Sequence, residues 1–226
     1  TLFNARLGWW LGNPANRDMS WRQGPQVALI PIVRELLGRT DEKGSWIYLS
    51  DGGHFDNLGL YEVVKRGCRY IVALDASADP DRRFDDLGNA IRKIRVDLGV
   101  GIELVEDWWI GAPDRGADGR YCALFSIDYK GMSVEGEGTL LYLKSAIYPH
   151  PKSRLPMDVL QYSRASGAFP HESTVDQFFT ESQFESYRAL GEHEMQAILN
   201  ECKKRGDMYD LMLAARAHIQ KGRPGT

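Results

Sequence analysis

Hydrophobic and polar positions change period several times along the chain, and those changes mark its elements. Gln26–Leu37 places Ile30, Val33, Leu36 and Leu37 at helical spacing before Gly38, a stop signal. Trp46–Ser50 (WIYLS) is a short apolar run, read as a strand that ends in Asp51-Gly52-Gly53. A helix is predicted near Asn57–Arg66, with Asn57 as N-cap and Glu62 placed to pair with Arg66. Tyr70–Leu74 is continuously apolar, the pattern of a strand buried on both faces. Strand, helix and strand within about thirty residues predict a parallel βαβ unit. Phe84–Leu98 carries Phe84, Leu87, Ile91, Ile94 and Leu98 on one helical face. Ile102, Leu104 and Val105 begin another strand, ahead of a loop at Gly111–Gly119. Tyr121–Tyr129 alternates strictly, as a half-buried strand does, and Thr139–Lys144 is expected to run antiparallel to it across the loop Gly131–Gly138. From Met157 onward the pattern is helical, with Phe178, Phe179, Phe184, Tyr187 and Leu190 as the expected packing stripe, and Lys221–Thr226 as a frayed tail. Residues 1–25, with Phe3, Trp9, Trp10 and Trp21 among glycine and proline turns, read as irregular structure packed by its own aromatics.

The expected class is α/β: a sheet with helices on both faces, followed by C-terminal helices. Residues 1–155 would form the α/β part and 156–226 a helical extension packed on it. Length agrees, since 226 residues make one large domain or one domain with an appendage. Basic and acidic residues number 28 and 31, for a net charge of −3 and a pI of about 6.0. That balance excludes a dedicated nucleic-acid binder, which would carry a basic face. No apolar run approaches the ~18 residues of a transmembrane helix. Cys68, Cys122 and Cys202 are odd in number and widely spaced, which reads as three reduced thiols of a cytoplasmic protein. The chain begins at Thr1 without Met or a signal segment, and is read as cut from something longer.

The densest chemistry is Ser50-Asp51-Gly52-Gly53-His54-Phe55-Asp56-Asn57, at the carboxyl end of a predicted strand, where open α/β sheets bind their ligands. A buried carboxylate there has the basicity to act on a serine hydroxyl. Gly52 and Gly53 would allow positive φ and close approach of the chain. The same Asp-Gly pair is also an ordinary turn that caps a helix. His54 and Asp56 crowd one turn with Asp51, which reads as a surface loop in preference to a metal site. Neither His171-Glu172 nor His193-Glu194 extends to the zinc-protease pattern. Arg92, Lys93 and Arg95 read as a solvated helix face. Trp9-Trp10 and Trp108-Trp109 suit either core packing or a membrane boundary. Asp75, ending a strand before Ala76-Ser77, is a rim or capping residue.

The ordered set Leu49-Ser50-Asp51-Gly52-Gly53, Asn57-Leu58-Gly59-Leu60-Tyr61-Glu62 and Arg69–Asp75 resembles the C-terminal half of the patatin-like phospholipase family. It is more distantly similar to lysophospholipase and group IV cytosolic phospholipase catalytic domains. Phe84–Val96, Gly138–Lys144, Phe169–Thr174 with Asp176–Phe179, and Phe184–Arg188 look like the bacterial members, so the resemblance runs from about residue 4 to residue 192. It implies a Ser–Asp dyad in which the serine occupies Gly-x-Ser-x-Gly at a strand-to-helix elbow, with an upstream glycine-rich oxyanion loop. Asp51 is the one catalytic position it carries to this chain, with Gly52, Gly53 and Asn57 supporting the loop.

This chain holds no Gly-x-Ser-x-Gly. Gly131-Met132-Ser133-Val134-Glu135 and Arg164-Ala165-Ser166-Gly167-Ala168 both miss it. In the family's order the missing elements precede the Asp. The expectation is therefore the C-terminal piece of a lipid acyl hydrolase, inactive alone, whose nucleophile lies in the upstream half of the same polypeptide. Its substrate would be a phospholipid or other acyl ester, met at a membrane surface through the longer protein, and no cofactor is implied. The alternative is a degenerate, non-catalytic module binding lipid or a protein partner.

Overall fold

The computed structural model describes residues 8–27, 29–105, 110, 121–132, 134, 136–147, 155–202 and 206–221. The expected loop Gly111–Gly119, Trp108-Trp109, Ser133 and the tail after Lys221 lie outside them. The fold is mixed α/β and forms two units, Thr1–Asn57 and Leu58–Thr226.

In the first unit, β1 (Gly8–Gly12) pairs antiparallel with β2 (Trp46–Ser50), in register from Gly8↔Ser50 to Gly12↔Trp46. The irregular N-terminal segment expected from the turn residues is thus partly a strand. Trp10 supplies the reason: its ring sits 5.2 Å from that of Tyr48 across the ribbon, a cross-strand aromatic pair. Buried Asn13 fastens the ribbon's end, donating from Nδ2 to the carbonyls of Glu42 (2.8 Å) and Gly44 (2.7 Å). Helix α1 (Leu29–Leu36) is shorter than its periodicity predicts and ends at Gly38, φ +64°. Its spacing is amphipathic, yet Leu29, Ile30, Val33 and Leu36 are exposed and only Pro31 is buried.

The second unit is built on a four-stranded sheet ordered β3-β6-β5-β4. β3 (Tyr70–Asp75) runs parallel to β6 (Glu137–Lys144), from Tyr70↔Thr139 to Asp75↔Lys144. β5 (Cys122–Asp128) lies antiparallel between β6 and β4 (Gly101–Leu104). The predicted antiparallel β5–β6 pair is present. The predicted parallel βαβ unit is not, because β2 pairs with β1 and the parallel partner of β3 is β6.

Helices cover both faces. On one face α2 (Leu60–Lys65) and α3 (Asp85–Leu98) bury Leu60, Val64, Leu87 and Ile94 against Ile71, Ala73, Phe125, Ile127 and Leu140. On the other, α5 (Glu181–Leu199) and α6 (Met208–Lys221) bury Ile198, Met212, Ala215 and Ile219 against Cys122, Leu124, Leu141 and Leu143. β5 is consequently buried on both faces, not half-buried: Cys122 and Leu124 are apolar on the side that alternation alone assigns to solvent. β3 shows the reverse correction. It is an edge strand whose second face loses cover toward its end, where Leu74 is 69% exposed.

Two further expectations change. Helix α2 begins at Leu60 behind Gly59, whose φ of +67° suits glycine alone, so Asn57 is not its N-cap. Glu62 faces Lys65 at 4.0 Å, one turn position earlier than Arg66. The aromatic stripe also breaks up. Phe178 is 91% exposed and Phe184 is exposed, while Tyr187 and Leu190 alone join Val159 of α4 (Met157–Ala165), Phe169 and Ala189 in a small third core. Phe178 and Phe179 precede the helix, which starts at Glu181 with Thr180 accepting from the Gln183 N–H, so helical spacing never aligns them.

Candidate functional site

β2 delivers Asp51 at its carboxyl end in an extended backbone (φ −56°, ψ 132°). The chain then winds into one 3-10 turn, Gly52–His54. Asp51 caps it: Oδ1 accepts from the Gly53 N–H at 2.9 Å, and the Asp51 carbonyl accepts from the His54 N–H at 3.2 Å. Backbone N–H groups of Phe55 and Asp56 both converge on the Gly52 carbonyl at 2.9 Å. Oδ2 of Asp51 has no hydrogen bond with any described residue. The carboxylate is thus held by one oxygen and open at the other. It is exposed, so the burial that would raise its basicity is not met in this chain's described residues.

Neither glycine has a positive φ, contrary to expectation. At Gly53 it is the close approach of the chain that matters: a Cβ there would stand 2.9 Å from Asn57 Oδ1 and 3.4 Å from Asp51 Oδ1. Gly52 has open space around it. The Asn57 amide lies against Gly53. Beside Asp51, Ser50 Oγ lies 3.1 Å from His54 Nδ1 and 3.3 Å from the Asp51 carbonyl. Both side chains are exposed, and the Asp51 carboxylate is not the acceptor for either.

Of the two near-miss serines, Ser166 alone is described, and it is not free to act as a nucleophile. Ser133 lies outside the described residues. Ser166 Oγ is committed to Glu172 Oε1 at 2.5 Å, in a knot where Tyr162 and Gln183 also donate to that carboxylate, joining α4 to α5. His171-Glu172 is thus structural. No group of three or more metal-ligating side chains occurs among the described residues. No helix among them is long and apolar enough to cross a membrane.

The second unit holds a charged lattice that sequence reasoning missed, at the carboxyl ends of the parallel pair. Side chains of Asp75 and Lys144 are only 2% exposed, with Nζ 3.0 Å from Asp75 Oδ1. The Lys144 ammonium also donates to the Ser77 carbonyl (3.2 Å) and Oγ (3.3 Å), and lies 4.0 Å from Asp79. Tyr142 donates to Asp75 Oδ2 at 2.5 Å, and the Ser77 hydroxyl and N–H donate to Oδ1 at 2.6 and 2.9 Å. Burial alone would raise the Asp75 carboxyl. The hydrogen bonds of Ser77 and Tyr142, with the Lys144 ammonium, outweigh it and hold the carboxyl below its ordinary range. Asp79 fixes the following turn, accepting from Arg83 N–H (2.7 Å) and Phe84 N–H (2.9 Å), with Arg82 and Phe84 at φ +52° and +54°. Burial, then the Lys144 and Arg82 charges, depress His171. The expected capping role of Asp75 is met in its turn with Ser77. Its partner was hidden because only the β3–β6 register brings Lys144 opposite.

Compared with protein-family models, curated proteins and solved structures, the chain matches none.

Proposed function

We propose that this chain is the C-terminal part of a patatin-like serine acyl hydrolase, in which Asp51 is the base of a Ser–Asp dyad. The reading rests on the ordered sequence resemblance and on one structural observation. Asp51 stands at a strand's carboxyl end with one oxygen anchored by its own loop and the other without a hydrogen bond to any described residue. A base needs that division: a fixed oxygen sets the geometry, and a free lone pair receives the serine proton within hydrogen-bond reach. The serine, supplied from upstream of Thr1, attacks the ester carbonyl and passes its proton to Asp51 Oδ2. The alcohol departs with that proton, and water then cleaves the acyl-enzyme by the same route. Open faces at Leu49 and Phe55, beside Asp51, agree with a site completed by further chain.

A second reading is a non-catalytic module that binds lipid or a protein partner. The apolar face of α1, presented to solvent, favours it. A serine-directed fluorophosphonate separates the two. Polypeptide extended upstream through a Gly-x-Ser-x-Gly should be labelled at that serine and hydrolyse a short-chain acyl ester, while the 226-residue chain alone should do neither. An unlabelled extended protein would favour the binding module.

A further inference from the structure

We infer that the outer edge of β3 is the interface of a two-fold dimer of this chain. β3 ends the four-stranded sheet on one side and β4 on the other. β4 is guarded as edges commonly are, being four residues long and carrying Glu103. β3 is not. Tyr70-Ile71-Val72-Ala73-Leu74 holds no charge, proline or glycine. Its register with β6 runs unbroken from Tyr70 to Asp75, so no bulge turns the edge aside.

The ladder identifies which backbone groups are left over. In a parallel pair the N–H and C=O of one residue point to the same side, and successive residues point to opposite sides. The Arg69 carbonyl accepts from the Thr139 N–H at 2.8 Å, which turns Arg69, Ile71, Ala73 and Asp75 toward β6. Tyr70, Val72 and Leu74 therefore direct their N–H and C=O groups outward, where none of them bonds a described residue. Only another extended backbone supplies donors and acceptors at that spacing.

A second β3 does so in full. An antiparallel two-fold pairing centred on Val72 sets Val72 opposite Val72 of the second copy, and Tyr70 opposite its Leu74. Each of these pairs exchanges both bonds, so no outward group is left over. The facing side chains are aliphatic or aromatic, the kind of cross-strand pair that stabilises a sheet. Leu74, 69% exposed in the single chain, gains an aromatic neighbour. One patch serves both copies, as a closed two-fold interface requires.

The dimer is independent of the role of Asp51, and no ester enters its test. Sedimentation of the 226-residue chain should show a dimer that dissociates on dilution. Leu74→Lys puts an ammonium on the edge at an exposed position and should weaken dimerisation about tenfold or more. Val96→Lys, at a comparably exposed position on α3, should dimerise like the wild type. Amide hydrogen exchange reads the register. The N–H groups of Tyr70, Val72 and Leu74 should exchange slowly in the dimer, and quickly on dilution or in Leu74→Lys. Those of Ile71 and Ala73, bonded to β6, should stay slow throughout and report an intact fold. A monomer at every concentration, unchanged affinity in Leu74→Lys, or a dimer whose outward amides stay fast would each overturn the proposal. So would a monomer with those amides slow, which would assign the edge to another strand of the same chain.

Discussion

At the scale of single residues, the chain separates a carboxylate that is kept accessible from one that is locked. Asp51, on an exposed loop, has one oxygen without a hydrogen bond to any described residue, while the carboxylate of Asp75 is held by Ser77, Tyr142 and Lys144. A buried pair of this kind is costly to break one-sidedly, because the remaining charge stays in a low-dielectric site. Lys144→Met is therefore expected to cost roughly 3–5 kcal/mol in urea unfolding, and Asp75→Leu a similar amount. The double variant should recover a large part of that loss, since no orphan charge remains. Additive losses in the double variant would show that the two side chains do not act as a pair. At Gly53 the two expectations part: its φ is not positive, yet the chain approaches it closely. The Asp-Gly-Gly string announces a tight loop, but the constraint is the Asn57 amide 2.9 Å from where a Cβ would sit, which spacing cannot reveal.

At the scale of elements, local patterns were legible and partners were not. Trp46–Ser50, the helix ending at Leu98 and the strand ending at Lys144 fall where their periodicity puts them, because side-chain burial imposes the period directly. Which strand lies beside which depends on contacts far apart in sequence, so β2 and β3 could be read as neighbours although neither pairs with the other. The same blindness hid Glu194. On the surface of the code it is one of several charges in α5, yet it is buried against the end of β6, accepting from Ala146 N–H (2.9 Å) and Ser145 Oγ (3.2 Å). Burial pushes its carboxyl up to about 8, and those two donors offset only part of the effect. A folded pKa above the unfolded value means the folded state holds the proton more tightly. Glu194's contribution to stability is therefore full below about pH 4.5 and is lost as pH rises toward 8. Urea midpoints at pH 5 and pH 8 should show this decline in the wild type and a smaller one in Glu194→Gln. An identical decline in both proteins would remove Glu194 as its source.

At the scale of the whole molecule, stability and chemistry are unevenly distributed. Among the described residues, the three buried cores belong to Leu58–Thr226, whereas the first unit buries little beyond Asn13 and Pro31 and leaves α1's apolar face exposed. A two-stranded ribbon with so little burial is marginal by itself. Limited proteolysis should cut first within residues 27–57 and leave a resistant fragment beginning near Leu58; initial cleavage inside α3 or β5 would contradict that order. The unit with the weaker core nevertheless carries Asp51, and loops that do chemistry are commonly drawn from the less stable end of a structure. The most direct measurement is ester turnover by the polypeptide extended upstream through the proposed Gly-x-Ser-x-Gly serine, wild type against Asp51→Asn. Asparagine keeps the shape and removes the base, so kcat/KM should fall by a factor on the order of 10² or more while the fold is unchanged. Near-normal turnover by Asp51→Asn would contradict the Ser–Asp dyad.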